Sequence, residues 1–525
     1  MKKGHNKVTF KPYTMEQPSL LPASLEELIP ADHLVRVVNR VMDELDLEPI
    51  LNEYKGGGTS SYHPRMMVKV LVYAYTQKVN SSRQIAKGLR ENVNFMWISG
   101  NNRPDFRTIN RFRSSVMKEG VEVVFSEVLQ YLIEGGYVTL GNYFLDGTKI
   151  EANANKYKWV WAKSTAKYKE RLQEKIQELL EKIEQENEAE QEAYGDKDLE
   201  EVGGDNKPGG GGLGSDELQK WIERLNERLA ETMKNKKDAR TKGIRKLQEE
   251  YLPRQKKYEA QEKILAGRNS YAKTDHDATF MRMKEDAMHN GQLKPGYNVQ
   301  IGTENQFVLG FSIHQKSNDI TCLIPHMQQL EDRLGRLPRR VIADAGYGSQ
   351  ENYAYLEQNG AEAYVKYALF HKQQKRNWGK QRFRPENWQY IADQDEYICP
   401  AQQHLSFQRL RHRNTENGYR TSIREYDCAS CTACPFKPEC THSGGNRRIW
   451  INPVLNYYQK QAHAMLISEQ GRKLRGQRAV EVETVFGRIK QDWGFRRFTL
   501  RGMDKVKIEW GLLCIAHNIA KLAVQ

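Results

Sequence analysis

Two short apolar segments, far apart in the chain, each run into an aspartate, and together they constrain the fold more than any other feature. Asn142-Tyr-Phe-Leu-Asp-Gly-Thr predicts a buried strand ending in an Asp-Gly turn, and Arg339-Arg-Val-Ile-Ala-Asp344 predicts a second strand ending the same way. Asp146 and Asp344 stand 198 positions apart, so a sheet holding both strands is split in sequence by long insertions. An aspartate behind three apolar residues is costly to bury without a cation or hydrogen-bond donors. Taken singly, each Asp is explained as well by turn chemistry.

The surrounding pattern predicts the rest of the sheet. Gly296–Gly302 and Gln306–His314 read as two strands joined by a tight turn. A helix follows from about Cys322 to Leu334, Ser349 caps another, and 361–365 is a further strand. The order strand, strand, strand, helix, strand, helix, strand, interruption, helix is that of a ribonuclease-H-like α/β domain over 136–525. Two insertions interrupt it. In 160–270, Leu172, Ile176, Leu179 and Ile183 form one apolar stripe and Leu218, Ile222, Leu225 and Leu229 another, on either side of the Gly-rich run 203–214. That pattern predicts a helical hairpin with a flexible tip. Residues 366–455 read as irregular and cysteine-rich.

Residues 1–135 read as helical. Asp32 is a plausible cap for the first helix, and Pro64 opens another. Ser81–Arg90 and Asn101–Arg113 resemble a helix-turn-helix, which would make Arg107, Arg111 and Arg113 DNA contacts. A plain helical bundle with a solvated basic face is the alternative. The formal net charge of +14 favours a polyanionic partner. No apolar run approaches the roughly 20 residues needed to span a bilayer, and the basic N-terminus has no signal-peptide core, so a cytoplasmic location is expected.

The third acid comes from the C-terminal region. In Val480-Glu-Val-Glu-Thr-Val-Phe-Gly-Arg-Ile-Lys, Val482, Val485, Phe486 and Ile489 form an apolar face. Lys490 stands two helical turns after Glu483, so both project on nearly the same side, whereas Glu481 is turned about 200° away from Glu483. Between Arg472 and Lys507 there are eleven Lys or Arg against four acids, and Phe495 and Phe498 interleave with Arg496, Arg497 and Arg501. Charge concentrated beside a candidate metal site suits a phosphate-tracking groove, to which Arg488 and Lys490 would also belong. Asp275, Asp277 and Asp319 are supporting candidates near strand ends.

The segments around Asp146, Asp344 and Glu483, with Lys490, resemble the DDE transposases of bacterial insertion sequences that carry a Tyr–Arg–Glu–Lys signature. Pro104–Arg113 and Gly494–Gly502 add to the likeness, which spans essentially the whole chain. One departure stands out. The family places Arg four residues before the Glu, where this chain has Ala479; Arg478 is one step further back, and no Tyr occupies the expected upstream position.

The resemblance implies metal-dependent cleavage at insertion-sequence ends and strand transfer into target DNA. Two Mg2+ (or Mn2+) would be held by Asp146, Asp344 and Glu483. The partner would be double-stranded DNA, with a homo-oligomer assembled on it in a bacterial, nucleoid-associated setting. Two alternatives remain: a nuclease of the same fold that cuts without joining, and a non-catalytic DNA-binding descendant.

Cys428, Cys431, Cys434 and Cys440 crowd into thirteen residues. Four thiolates at this spacing suit structural Zn2+, and an iron–sulfur cluster is the alternative. Cys399 and His442 are spare donors. Cys322 and Cys514 read as buried structural cysteines.

Overall fold

A computed structural model describes residues 24–54, 61–194, 213–232, 239–283 and 293–525, without the side chains at 187–194, 228–232 and 239. The expected Gly-rich tip therefore lies largely outside the described residues, as does the Leu229 side chain. The chain divides into two compact units, Met1–Val128 with Ile515–Gln525, and Leu129–Cys514. The C-terminal residues thus group with the N-terminal helices, although the sequence had assigned them to 136–525.

The first unit is helical. His33, not the expected Asp32, caps helix Leu34–Glu44 by accepting from Val35 N at 3.1 Å. Pro64 opens helix Pro64–Thr76 as expected. Helices Ser82–Glu91 and Phe106–Ser114 are present, but a short helix, Val93–Ile98, stands between them in place of a bare turn. Asn92 caps it, accepting from Asn94 N at 2.9 Å, and Phe95 and Ile98 are buried.

The second unit is mixed α/β. Its sheet centres on strand Asn142–Glu151. On one side Leu293–Glu304 pairs with it antiparallel, and both Thr279–Arg282 and Phe307–His314 pair with successive stretches of that neighbour. On the other side lie Arg340–Ala343 and then Glu362–Val365, both parallel. The turn at Asn305 and Gln306, both at positive φ (52° and 61°), joins the antiparallel pair in the two-residue manner that matches strand twist. The Glu304 carboxylate ties the start of the central strand down, accepting from the backbone N–H of Thr139, Leu140, Gly141 and Asn142 at 2.7–3.1 Å.

Tyr143 packs across the cross-strand pair Gly302 and Gly310, where a Cβ would lie 1.7 Å and 2.4 Å from its ring carbon and hydroxyl. Only glycine admits that approach. The Tyr143 hydroxyl meets His326 Nε2 at 2.6 Å. Beyond it, His326 Nδ1 meets Ser312 Oγ at 2.7 Å, and Ser312 Oγ meets His314 Nε2 at 2.7 Å. Burial holds both imidazoles below their usual range, His314 at about 4, so this buried relay runs through neutral rings.

The two segments expected to be insertions are more ordered than their sequence suggests. The first has a third helical arm besides the two expected. Helices Ala162–Tyr194 and Ser215–Thr232 pack with a run from Ala239 to Leu265 around Leu172, Ile176, Ile222, Leu225, Leu247 and Tyr251. The second is not irregular. It forms a five-stranded antiparallel sheet from Gln389 to Ile451.

Candidate active site

The three acids arrive from separate elements. Asp146 sits mid-strand, opposite Ile301, and is 8% exposed. Asp344 follows strand Arg340–Ala343 and caps the turn Ala345–Tyr347, accepting from Gly346 N at 2.8 Å. Glu483 lies on a continuous helical segment from Glu469 to Asp492 that packs against the strand carrying Asp344.

All three acids face one guanidinium. Arg478 Nη2 lies 2.9 Å from Asp146 and 3.8 Å from Asp344, and Nη1 lies 3.4 Å from Glu483. The Arg478 side chain is only 11% exposed, and its Nε has no hydrogen-bond partner among the described residues. Local helix geometry explains how a residue five positions before Glu483 reaches this point. Residues Ala479–Glu483 form a π-helical turn, which takes in one more residue than an α-turn. The offset between Arg478 and the family pattern coincides with that turn.

The same helix places the other expected residues. Glu481 Oε2 accepts from Gln306 N at 2.7 Å, so this acid fastens the helix to the hairpin turn. Lys490 lies in a second π-turn, Arg488–Asp492, and its Nζ donates to Thr148 Oγ1 at 3.2 Å. Thr148 is two residues beyond Asp146 and therefore on the same face of the strand. Arg497 donates to the carbonyls of Ala152 and Ala154 at 3.2 and 3.3 Å, and Arg501 to that of Asn153 at 2.7 Å. These two arginines clamp the chain just after the central strand. Arg488 lies over the Trp493 ring, and Arg496 is exposed.

Among the arginines of the N-terminal unit, Arg107 and Arg111 are exposed. Arg113 corrects the expectation of a DNA contact. It is 3% exposed and donates to Asn80 O at 2.7 Å and Ser82 Oγ at 3.2 Å, so it ties helices together.

Two residues near the acids were missed or undervalued. Lys366 follows strand Glu362–Val365, and the register Ala343↔Val365 sets it beside Asp344. Burial first, then the Arg478 and Arg475 guanidiniums, hold its ammonium below the usual lysine range, against the opposing pull of Asp344 and Glu483. Asp319 accepts from Asn298 Nδ2 at 2.8 Å and Gln300 Nε2 at 2.9 Å. A Cβ on Gly147 would lie 2.8 Å from its Oδ1, so Asp319 lies beneath the strand, on the face opposite Asp146. Asp275 and Asp277 receive the backbone N–H of Gly502 and Met503 at 3.2 and 2.8 Å and hold the start of the last helix.

Among the described residues, no group of three or more Asp, Glu, His or Cys is spaced to hold a metal ion. The donor chemistry still suits cations. Three carboxylates of hard-oxygen character converge on one guanidinium, which offsets only one of their three charges. In the second insertion, Cys399, Cys428, Cys431, Cys434 and Cys440 all line one cavity of about 20 Å³, whereas His442 does not. Burial, then the neighbouring Cys431, pushes the Cys428 thiol up to about 12, and burial raises Cys440 as well.

Two family models match the chain. The model described as Transposase DDE domain matches residues 398–523, which include Glu483 but neither Asp146 nor Asp344. The model described as Transposase domain (DUF772) matches residues 23–115. No match was found among curated proteins or among solved structures. The two matched segments are thus similar to transposase domains, the C-terminal one to a DDE domain. No described helix is long and apolar enough to cross a membrane.

Proposed function

We propose that the protein cleaves DNA at the ends of its element and joins the freed 3′ ends to target DNA, using Asp146, Asp344 and Glu483 as one catalytic site. The observation that carries this reading is the convergence of three acids, from three distant stretches of chain, on Arg478. A central strand antiparallel to one neighbour and parallel to two others supports a ribonuclease-H-like catalytic domain. The central strand, the end of its parallel neighbour and an abutting helix would then each supply one ligand.

The three acids would hold Mg2+ (or Mn2+), which when bound supplies charge stabilisation to the attacking and leaving oxygens of a phosphodiester. The chain's own groups do the rest. Asp146 is fixed by its strand and Asp344 by its cap to Gly346, so neither needs to reorganise. Arg478 offsets part of the carboxylate charge, and Lys490, beside Thr148, offers a point charge to a backbone phosphate. In the second insertion four of the five converging thiols would hold Zn2+, whose preference for thiolates suits this donor set. Exposed Arg107, Arg111 and Arg496 are the proposed DNA contacts outside the acid cluster, together with Arg488, Arg497 and Arg501. We place the protein in the bacterial cytoplasm, acting as a homo-oligomer on double-stranded DNA.

Strand transfer separates this reading from a nuclease that only cuts. With a pre-cleaved end, a plasmid target and Mg2+, covalently joined product is expected. Cutting of an intact end without joining of the pre-cleaved one indicates the nuclease. Binding with neither step indicates a non-catalytic descendant.

Lys490→Ala should weaken binding to element ends and reduce the salt slope of binding by about one unit. Lys490→Arg should restore it only in part, because a guanidinium is larger and differently directed. Filter binding across a salt series reads both, and an unchanged slope removes Lys490 from the phosphate contacts.

A further inference from the structure

The cysteine-cored insertion carries a charge that its own fold does not require. Residues 366–455 hold fifteen Lys and Arg against eight Asp and Glu, a surplus of seven out of the chain's fourteen. Strand His404–Asn414 is exposed on both faces from Phe407 onward, so this half of the hairpin buries little and gains little from packing. Its guanidiniums are nevertheless held in place. Buried Glu425 is shared by Arg409 at 3.2 Å, Arg448 at 2.9 Å and Arg411, leaving that group net positive. Arg424 stacks on Phe407 with its guanidinium carbon 4.6 Å from the ring centre.

One end of this basic stretch lies beside the acid cluster, and the other is fastened to the helix that follows Asp344. At one end, Lys366 lies beside Asp344, and Lys372, Lys375, Arg376, Lys380, Arg382 and Arg384 follow with no acid before Glu386. At the other end, the hairpin tip docks on the helix that starts just after the Asp344 turn. Thr415 Oγ1 and Asn417 Nδ2 donate to Glu351 at 3.0 and 3.2 Å, and Gln350 Nε2 donates to the Tyr419 hydroxyl at 3.3 Å. Lys316 adds an ion pair with Glu416 at 3.6 Å. The hairpin is therefore braced against the catalytic sheet.

We propose that this insertion is a DNA-tracking surface in its own right, with the Lys372–Arg384 segment and the Arg409–Arg420 hairpin binding the backbone of the duplex that lies at the acid cluster. The proposal rests on the DNA-processing reading above and adds to it the surface that holds the duplex. Charge complementarity identifies the occupant, because phosphates at regular spacing are what a braced row of cations fits.

Arg413, Arg420, Lys375 and Arg376 are exposed and form no ion pair among the described residues, so their removal leaves the Glu425 cluster intact. The test uses full-length protein with all four replaced by Ala and a duplex carrying an element end with its flanking DNA. The slope of log K against log salt should become shallower by up to about 3.6 units, at roughly 0.9 for each of the four lost phosphate contacts. The thermal midpoint should stay unchanged. A slope and affinity equal to those of the unmodified protein would overturn the proposal. If the unmodified protein itself shows no salt-dependent duplex binding, the DNA-processing reading fails instead.

Discussion

Asp146→Asn, Asp344→Asn and Glu483→Gln should each lower cleavage at an element end by at least about a thousandfold, roughly 4 kcal/mol of barrier. Each substitution removes one carboxylate charge and almost no volume. End-binding, measured by filter binding, should stay within about threefold of the unmodified protein, under 1 kcal/mol. The substitutions are not equivalent in their structural cost. Asp146 is buried against Arg478 at 2.9 Å, so its loss leaves a nearly buried guanidinium with fewer partners. Glu483 is more than half exposed, and its replacement should leave the thermal midpoint unchanged. Glu481→Gln is the informative control. It should lower stability, because Glu481 fastens the helix to the Gln306 turn, while sparing the chemistry once the protein is folded. Near-normal nicking by any of the three acid variants would remove that residue from the site.

The second large effect concerns the cysteines. The buried cluster of the second insertion contains Trp388, Leu405, Tyr426 and Ile449 together with Cys399, Cys428 and Cys431. Four apolar side chains are too few to hold a five-stranded sheet, and burial of the thiols contributes only weakly. Purified protein should carry about one zinc per chain. Cys431→Ser should lose it, together with protease resistance between Gln389 and Ile451, because metal binding in such loops is coupled to folding. Elemental analysis and limited proteolysis read the two effects. Iron and inorganic sulfide in place of zinc would make the site an iron–sulfur cluster, and metal-free protein with a protease-resistant sheet would contradict a structural metal altogether.

The six-stranded sheet was readable in the sequence because its strands are apolar. Strands Phe307–His314 and Arg340–Ala343 lie where the pattern puts them. The strand expected to end in an Asp146-Gly147 turn instead runs on through both residues to Glu151, because ladder pairing with Ile301 and Gln300 overrides the local turn preference. The sheet of the second insertion was hidden for the opposite reason. His404–Asn414 is polar and exposed on both faces beyond Ser406, so no alternation marks it. The third arm of the first insertion hid behind Pro253, which reads as a breaker but sits in the first turn of helix Leu252–Leu265. Arg478 escaped because α-helical spacing turns it away from Glu483, and only the π-turn brings it round. Lys366 carries no local signal at all. A single lysine after a strand becomes notable only when the parallel register sets it beside Asp344.

The central claim is that the acids gathered at Arg478 form a DNA-cleaving site, and strand mapping on a natural substrate tests it most directly. Purified protein is incubated with a duplex containing one end of its element and the adjoining DNA, with and without Mg2+, and the 3′ and 5′ termini are mapped to the nucleotide. The account predicts a Mg2+-dependent break at the element boundary that leaves a free 3′-OH, and no such break with the Asp146→Asn protein. A break that persists in Asp146→Asn, or one that forms equally well with the divalent metal chelated, would contradict it.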